Sequence, residues 1–161
     1  MLFRSASQLD GLKGNKTAVA ETIENNVRSK IIKEHLSDPV YYESMSALLD
    51  EIIAARKAKA DEYEEYLKRI AELVAKVEAG HSEETPATLN TQGKRALYNN
   101  LDQNEDLALE IDATVKTTRP DAWRGLQTRE NTIKAALLPV LGNDEAEVER
   151  IFAIIKEQPE Y

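Results

Sequence analysis

Between Asp38 and Gly80 runs a stretch of about forty residues with helix signals at both ends and neither Gly nor Pro between Pro39 and Gly80. Asp38-Pro39 is a helix-start pair: the aspartate caps free N–H groups and proline suits the first helical position. Gly80 supplies a left-handed stop. Tyr42, Leu49, Arg56, Tyr63, Ile70 and Val77 recur every seven residues. Met45, Ile52, Tyr66 and Leu73 occupy the companion position, with Lys59 as the exception. This is a heptad seam. It predicts one long helix over residues 39–79, roughly 60 Å at about 1.5 Å per residue. A rod of that length carries an interaction, or holds two parts of a machine at a set distance, more readily than it carries an active site.

The seam drifts near its middle. Up to Arg56 it follows Tyr42, Met45, Leu49 and Ile52. Beyond it, Ala60, Leu67 and Val74 become apolar partners of Tyr63 and Ile70. The segment Ala54–Glu62 is small and charged, which marks a bend or a change of packing partner. Tyr66 and Leu67 flank the shift, so one is expected to pack at home while the other is left for a partner. Arg56, Lys57 and Lys59 offer a polar rim beside them. Glu64 to Lys68, Glu65 to Arg69 and Glu72 to Lys76 are favourable i,i+4 pairs on the exposed side.

The remainder also reads as helices. Residues 1–16 form a polar lead-in segment, and residues 17–161 a single helical domain. Thr17 caps a first helix to about His35, with Val19, Ile23, Val27 and Ile31 on one face and Glu21, Glu24, Asn25 and Arg28 pointing elsewhere. Shorter helices follow a loop at residues 81–90. Thr91 opens one to about Leu101, and Asn104 caps another to about Lys116. A turn after Pro120 holds Trp123, and a helix runs from Thr128 to Leu141. Asn143 caps the last, whose core side holds Val148, Ile151, Phe152 and Ile155. No strand pattern rises above noise. The fold class expected is all-α: a helical bundle with one long helix and several shorter ones.

With 161 residues the chain can bury a real core. It has no cysteine, which removes disulfides and thiol chemistry and fits a reducing cytoplasm. No apolar run approaches a membrane span. A net charge of −8 argues against primary DNA binding, because phosphate neutralisation supplies most of a DNA binder's affinity. The charge is uneven, however. From Lys116 to Lys134 there are five basic residues and two acidic ones. Arg119, Arg124 and Arg129 are therefore the candidate nucleic-acid or partner contacts. Trp123, between two of these arginines, is either a core plug or an interface anchor.

Catalytic patterns are absent. Gly11-Leu-Lys-Gly-Asn-Lys-Thr17 looks like a phosphate loop but lacks glycines at the two diagnostic positions, held by Asn15 and Asp10. His35 and His81 have no metal-ligand spacing. Asp61-Glu62-x-Glu64-Glu65 spreads around a helix as a solvated face. No catalytic residue, cofactor or metal is expected.

Some stretches are more specific than their physics. Ala20-Glu-Thr-Ile-Glu-Asn-Asn-Val-Arg28, Tyr41-Tyr-Glu-Ser-Met-Ser-Ala-Leu-Leu49 and Lys94-Arg-Ala-Leu-Tyr-Asn-Asn-Leu101 resemble the C-terminal region of the R (motor) subunit of type I restriction enzymes. Ile133-Lys-Ala-Ala-Leu137 and Glu149-Arg-Ile151 continue the likeness, which covers about Gly11 to Tyr161. Such subunits join a nuclease domain, two helicase-like ATPase domains and a C-terminal helical domain. The resemblance implies a non-catalytic domain that docks the DNA translocase onto the methyltransferase and specificity subunits, beside the rest of the R subunit. Its DNA contact would be weak or indirect. An acidic chain suits a basic, DNA-binding partner. The alternative class is a stand-alone coiled-coil adaptor or regulatory protein that dimerises through the long helix.

Overall fold

The computed structural model describes residues 13–59 and 62–161. Among them every regular element is helical. The α-helices are α1 (Lys13–Glu34), α2 (Pro39–Lys57), α3 (Tyr63–Ala79), α4 (Gln92–Asn100), α5 (Glu105–Thr118), α6 (Gln127–Val140) and α7 (Glu145–Lys156), with one 3-10 turn, His35–Ser37. The all-α expectation holds.

The single long helix does not. Two helices, α2 and α3, stand in its place, folded back against each other. The Tyr41 hydroxyl at the start of α2 donates to the Lys76 carbonyl at the end of α3 (2.6 Å), so the pair is an antiparallel hairpin. The chain leaves α2 through Lys59, which takes a left-handed φ of 56°. The physical reason lies in the seam positions Arg56 and Lys59. A charge there has no place in a continuous apolar stripe. Folding back lets each half-seam meet the other and α1, burying Leu49 and Ile52 from one side and Tyr66, Ile70 and Leu73 from the other.

Capping residues set most helix boundaries. Asp38 accepts from the Tyr41 amide, Thr91 from Lys94 and Asn104 from Leu107. Gly80 closes α3 at φ 75°. Two starts differ from the sequence reading. Helix α1 already includes Lys13 to Lys16, so Thr17 lies inside it and caps nothing. The lead-in segment expected over residues 1–16 thus loses its last four residues to α1, and residues 1–12 lie outside those described. Asp144, rather than Asn143, caps α7 by accepting from Glu147. Asn143 instead takes the left-handed conformation its short polar side chain tolerates.

The buried side chains fall into two clusters. Helices α1, α2 and α3 enclose one, from Ala20 to Val77. Leu89, helices α4 to α7 and the tail ending at Tyr161 enclose the other. Each fully buried Leu, Ile or Phe stabilises its cluster by roughly 1.5–3 kcal/mol. The clusters meet where α2 packs on α4 and the 3-10 turn packs on α7.

Candidate interaction site

Trp123, Arg119 and Arg124 come together around the tail of the chain, while Arg129 fastens the turn before α6. Trp123 is buried, its indole N–H donating to the Tyr161 carbonyl (3.0 Å) and its ring 5.5 Å from that of Phe152. It is the plug and not an anchor. Arg119 donates to the carbonyls of Glu160 (2.7 Å) and Tyr161 (3.0 Å). Arg124 lies over the Trp123 ring at 4.5 Å and donates to the carbonyls of Lys156 (3.1 Å) and Gln158. Arg129 donates to the Asp121 carbonyl (2.5 Å). Three guanidinium groups thus hold main-chain oxygens while their outer edges stay exposed. The tail is held from inside as well. The Tyr161 hydroxyl donates to Asp112 (2.5 Å), and burial together with that carboxylate pushes its pKa well above the ordinary value.

The basic residues near the α2–α3 turn separate. Lys57 and Lys59 are exposed, but Arg56 turns inward. Its Nε and Nη2 donate to the two oxygens of Glu24 (2.6 and 2.9 Å), a side chain only 5% exposed. The Tyr66 hydroxyl donates to the same carboxylate (2.9 Å). The sequence reading pointed Glu24 away from the core, because a lone glutamate carries no sign of its partner 32 residues on. The buried stripe of α1 is Ala20, Glu24, Val27 and Ile31, while Val19 and Ile23 are half-buried. Of the pair at the seam shift, Tyr66 is buried and Leu67 is half-buried against the same cluster.

Asp38 forms the joint between the two clusters. It has no exposed surface. Its carboxylate accepts from the Tyr41 amide (3.2 Å), Asn100 Nδ2 (2.8 Å) and Asn99 Nδ2 (2.9 Å). Arg150 of α7 donates to the Asn100 carbonyl (2.8 Å), and Gln158 Nε2 donates to the Ser37 carbonyl (2.6 Å). Burial pushes the Asp38 pKa up to about 6 against the lowering effect of those three donors.

One surface region was missed. Ile32, Leu36 and Val40 are exposed at 68%, 63% and 43%. They sit at the corner where α1 passes through the 3-10 turn into α2. Beside them lies a groove of about 390 Å³ lined by Ile31, His35, Tyr42 and Glu43 as well as Ile32 and Leu36. The available signal was the Ile31-Ile32 pair. Adjacent residues on a helix point about 100° apart, so Ile32 falls at the edge of the stripe that Ala20, Val27 and Ile31 bury.

His35 lies 3.4 Å from Glu43, and His81 faces the Ser82 carbonyl (3.1 Å). Among the described residues no cluster of three or more His, Asp or Glu is placed to hold a metal ion, and no helix is long and apolar enough to cross a membrane. Of the acidic run, Glu62, Glu64 and Glu65 are exposed, and the last two sit in the first turn of α3, where its dipole favours negative charge. Comparison of the chain with family models, with curated proteins and with solved structures gives no match.

Proposed function

We propose that this chain is a non-catalytic docking domain, the C-terminal helical domain of the R subunit of a type I restriction enzyme. It attaches the ATP-driven DNA translocase to the methyltransferase and specificity subunits. The observation that carries docking is the apolar corner Ile32–Leu36–Val40, which holds three of the four large hydrophobic side chains exposed among the described residues. Three large aliphatic side chains at one corner suit a protein surface better than a phosphate backbone. The partner's identity rests on the resemblance, whose segments lie on α1, α2, α4, α6 and α7 in order. Four of the polar fasteners use residues of those segments: Glu24 with Arg56, Arg28 with Asp50, Asn100 with Asp38, and Arg150 with the Asn100 carbonyl. The net charge of −8 complements a basic, DNA-binding assembly. Direct DNA contact is secondary in this reading and falls to the outer edges of Arg119, Arg124 and Arg129.

The test is a pull-down of the methyltransferase–specificity assembly by a full-length motor subunit. The subunit carries either a deletion of residues 13–161 or the paired change Ile32→Glu and Leu36→Glu. Both should abolish stable assembly, and the double variant should keep its helical content and its DNA-stimulated ATPase. Undiminished assembly after the deletion sinks docking. Undiminished assembly of the double variant alone moves the docking face elsewhere. A stand-alone adaptor or regulatory protein that docks through the same apolar corner is the second reading. A native reading frame without helicase motifs upstream would select it.

A further inference from the structure

We infer that the α2–α3 hairpin can open into one continuous helix and exchange with a second copy of this chain, forming a domain-swapped dimer. Three observations support this. First, the seven-residue spacing continues across the turn, although its apolar character lapses at Arg56 and Lys59: Ile52, Lys59 and Tyr66 are seven apart, as are Arg56 and Tyr63. The sequence itself therefore permits a single helix. Second, the linking residues Ala58-Lys-Ala-Asp-Glu62 contain neither Gly nor Pro. Ala, Lys and Glu are strong helix formers, so local preference opposes the turn. Third, Lys59 takes φ 56°, a conformation that L-residues other than Asn and Asp seldom adopt. A helix cap of this kind normally carries glycine. Straightening the segment relieves Lys59.

The clasp on the hairpin explains why opening needs a second copy. Glu24 holds Arg56, before the turn, and Tyr66, after it. In a continuous helix Arg56 and Tyr66 stand ten residues apart, about 15 Å along the axis, and one carboxylate cannot reach both. Within a swapped pair, Glu24 keeps Arg56 of its own chain and receives the tyrosine from the other. Tyr41 and Lys76 re-form across chains in the same way. Every packing contact of the hairpin is then retained, and only the turn differs between monomer and dimer. The equilibrium is accordingly governed by the turn, and the rate of exchange by the Glu24 clasp.

The chain has no cysteine, so two can be placed cleanly for spin labels. Ser44→Cys and Ala75→Cys lie on exposed positions of α2 and α3. In the hairpin both lie within one helical turn of the residues joined by the Tyr41–Lys76 hydrogen bond. They stand 31 residues apart on a continuous helix, about 46 Å. Labelled chain diluted into unlabelled chain reports the intrachain distance alone, while sedimentation gives the oligomeric state over a concentration ladder. The dimer is expected to show the long distance and the monomer the short one. Lys59→Gly relieves the left-handed turn and disfavours the helix at both hinges, so it should lower the association constant roughly a hundredfold or more. Lys59→Ile, β-branched at positive φ, should raise it. Lys59 is exposed, so neither change threatens the core. Glu24→Gln should speed interconversion while leaving the equilibrium much closer to wild type. The inference is overturned if all these chains stay monomeric after annealing at high concentration. A dimer with the short intrachain distance, or one indifferent to Lys59→Gly, overturns it equally.

Discussion

A buried carboxylate with no cation against it makes Asp38 the residue whose charge matters most. Its three donors come from neutral groups, the Tyr41 amide and the side chains of Asn99 and Asn100. In the unfolded chain the group titrates near 3.8, and in the folded chain near 6. Between those values the folded state binds the extra proton, so stability falls as pH rises and levels off above about 6. The shift corresponds to roughly 3 kcal/mol at full ionisation. Asp38→Asn keeps a capping side chain and removes the titration. Urea unfolding of both chains at pH 4 and pH 7.5 should therefore show the variant gaining on wild type as pH rises, by up to roughly that amount. A wild-type-minus-variant difference that is flat in pH would refute the assignment. Gly93 makes a second residue-scale prediction. A Cβ there would lie 2.5 Å from the Glu160 carboxylate oxygen and 2.9 Å from the Tyr161 ring. The glutamate tip can swing aside only by releasing the Gly93 amide, and the ring is fixed by Asp112 and by the Trp123 contact to its carbonyl. Gly93→Ala should cost about 1–3 kcal/mol in thermal or chemical unfolding and loosen the tail.

At the scale of elements, capping chemistry was legible and pairing was not. Asp38, Thr91 and Asn104 act locally, each through one amide three residues away, and so a sequence reading finds them. Glu24, Arg56 and Tyr66 act across 32 and 42 residues, and no local signal joins them. That is why the run from Asp38 to Gly80 reads as one rod: its spacing and end signals agree, and the charge at Arg56 becomes a break only with Glu24 of α1 as its partner. The drift of the seam around Ala54–Glu62 was the trace left in the sequence. The candidate site behaved alike. The cluster Arg119, Trp123 and Arg124 was found from its composition, but its role as a clamp on the tail depends on carbonyls more than thirty residues away. Tyr66 gives the direct test of the triad. Tyr66→Phe removes one hydroxyl donor from Glu24 and preserves the ring over Arg56. A loss of about 1–2 kcal/mol is expected, since Glu24 keeps its bidentate arginine but loses a hydrogen bond to a charged acceptor. The loss should shrink markedly in a Glu24→Gln background, and equal losses in both backgrounds would mean that the hydroxyl acts elsewhere.

At the scale of the whole molecule, two apolar clusters are joined by a polar seam, and this predicts unequal stability. Among the described residues 17 buried side chains form the C-terminal cluster and 12 the N-terminal one. The larger cluster also includes Trp123 and Phe152 in ring contact and a tail fastened by Arg119, Arg124 and Asp112. The smaller holds a buried ion pair, which contributes less net stability than an apolar group of equal volume. The joint adds hydrogen bonds through Asp38, Asn99, Asn100 and Gln158, with little apolar area to bind the halves into one cooperative unit. Native-state hydrogen exchange should therefore show α1, α2 and α3 opening together at low denaturant while amides in α4 to α7 persist to the global transition. Both openings should become easier by the same amount from pH 5 to pH 7.5, because each hydrates an Asp38 carboxylate that is costly to bury when ionised, so the gap should stay constant. Asp38→Asn should remove that pH dependence from both openings without closing the gap. A fragment of residues 82–161 retains the whole larger cluster from Leu89 to Tyr161, and it should unfold cooperatively by itself. If the fragment is unfolded, or all seven helices exchange with one free energy, the polar seam joins the halves more tightly than its chemistry implies.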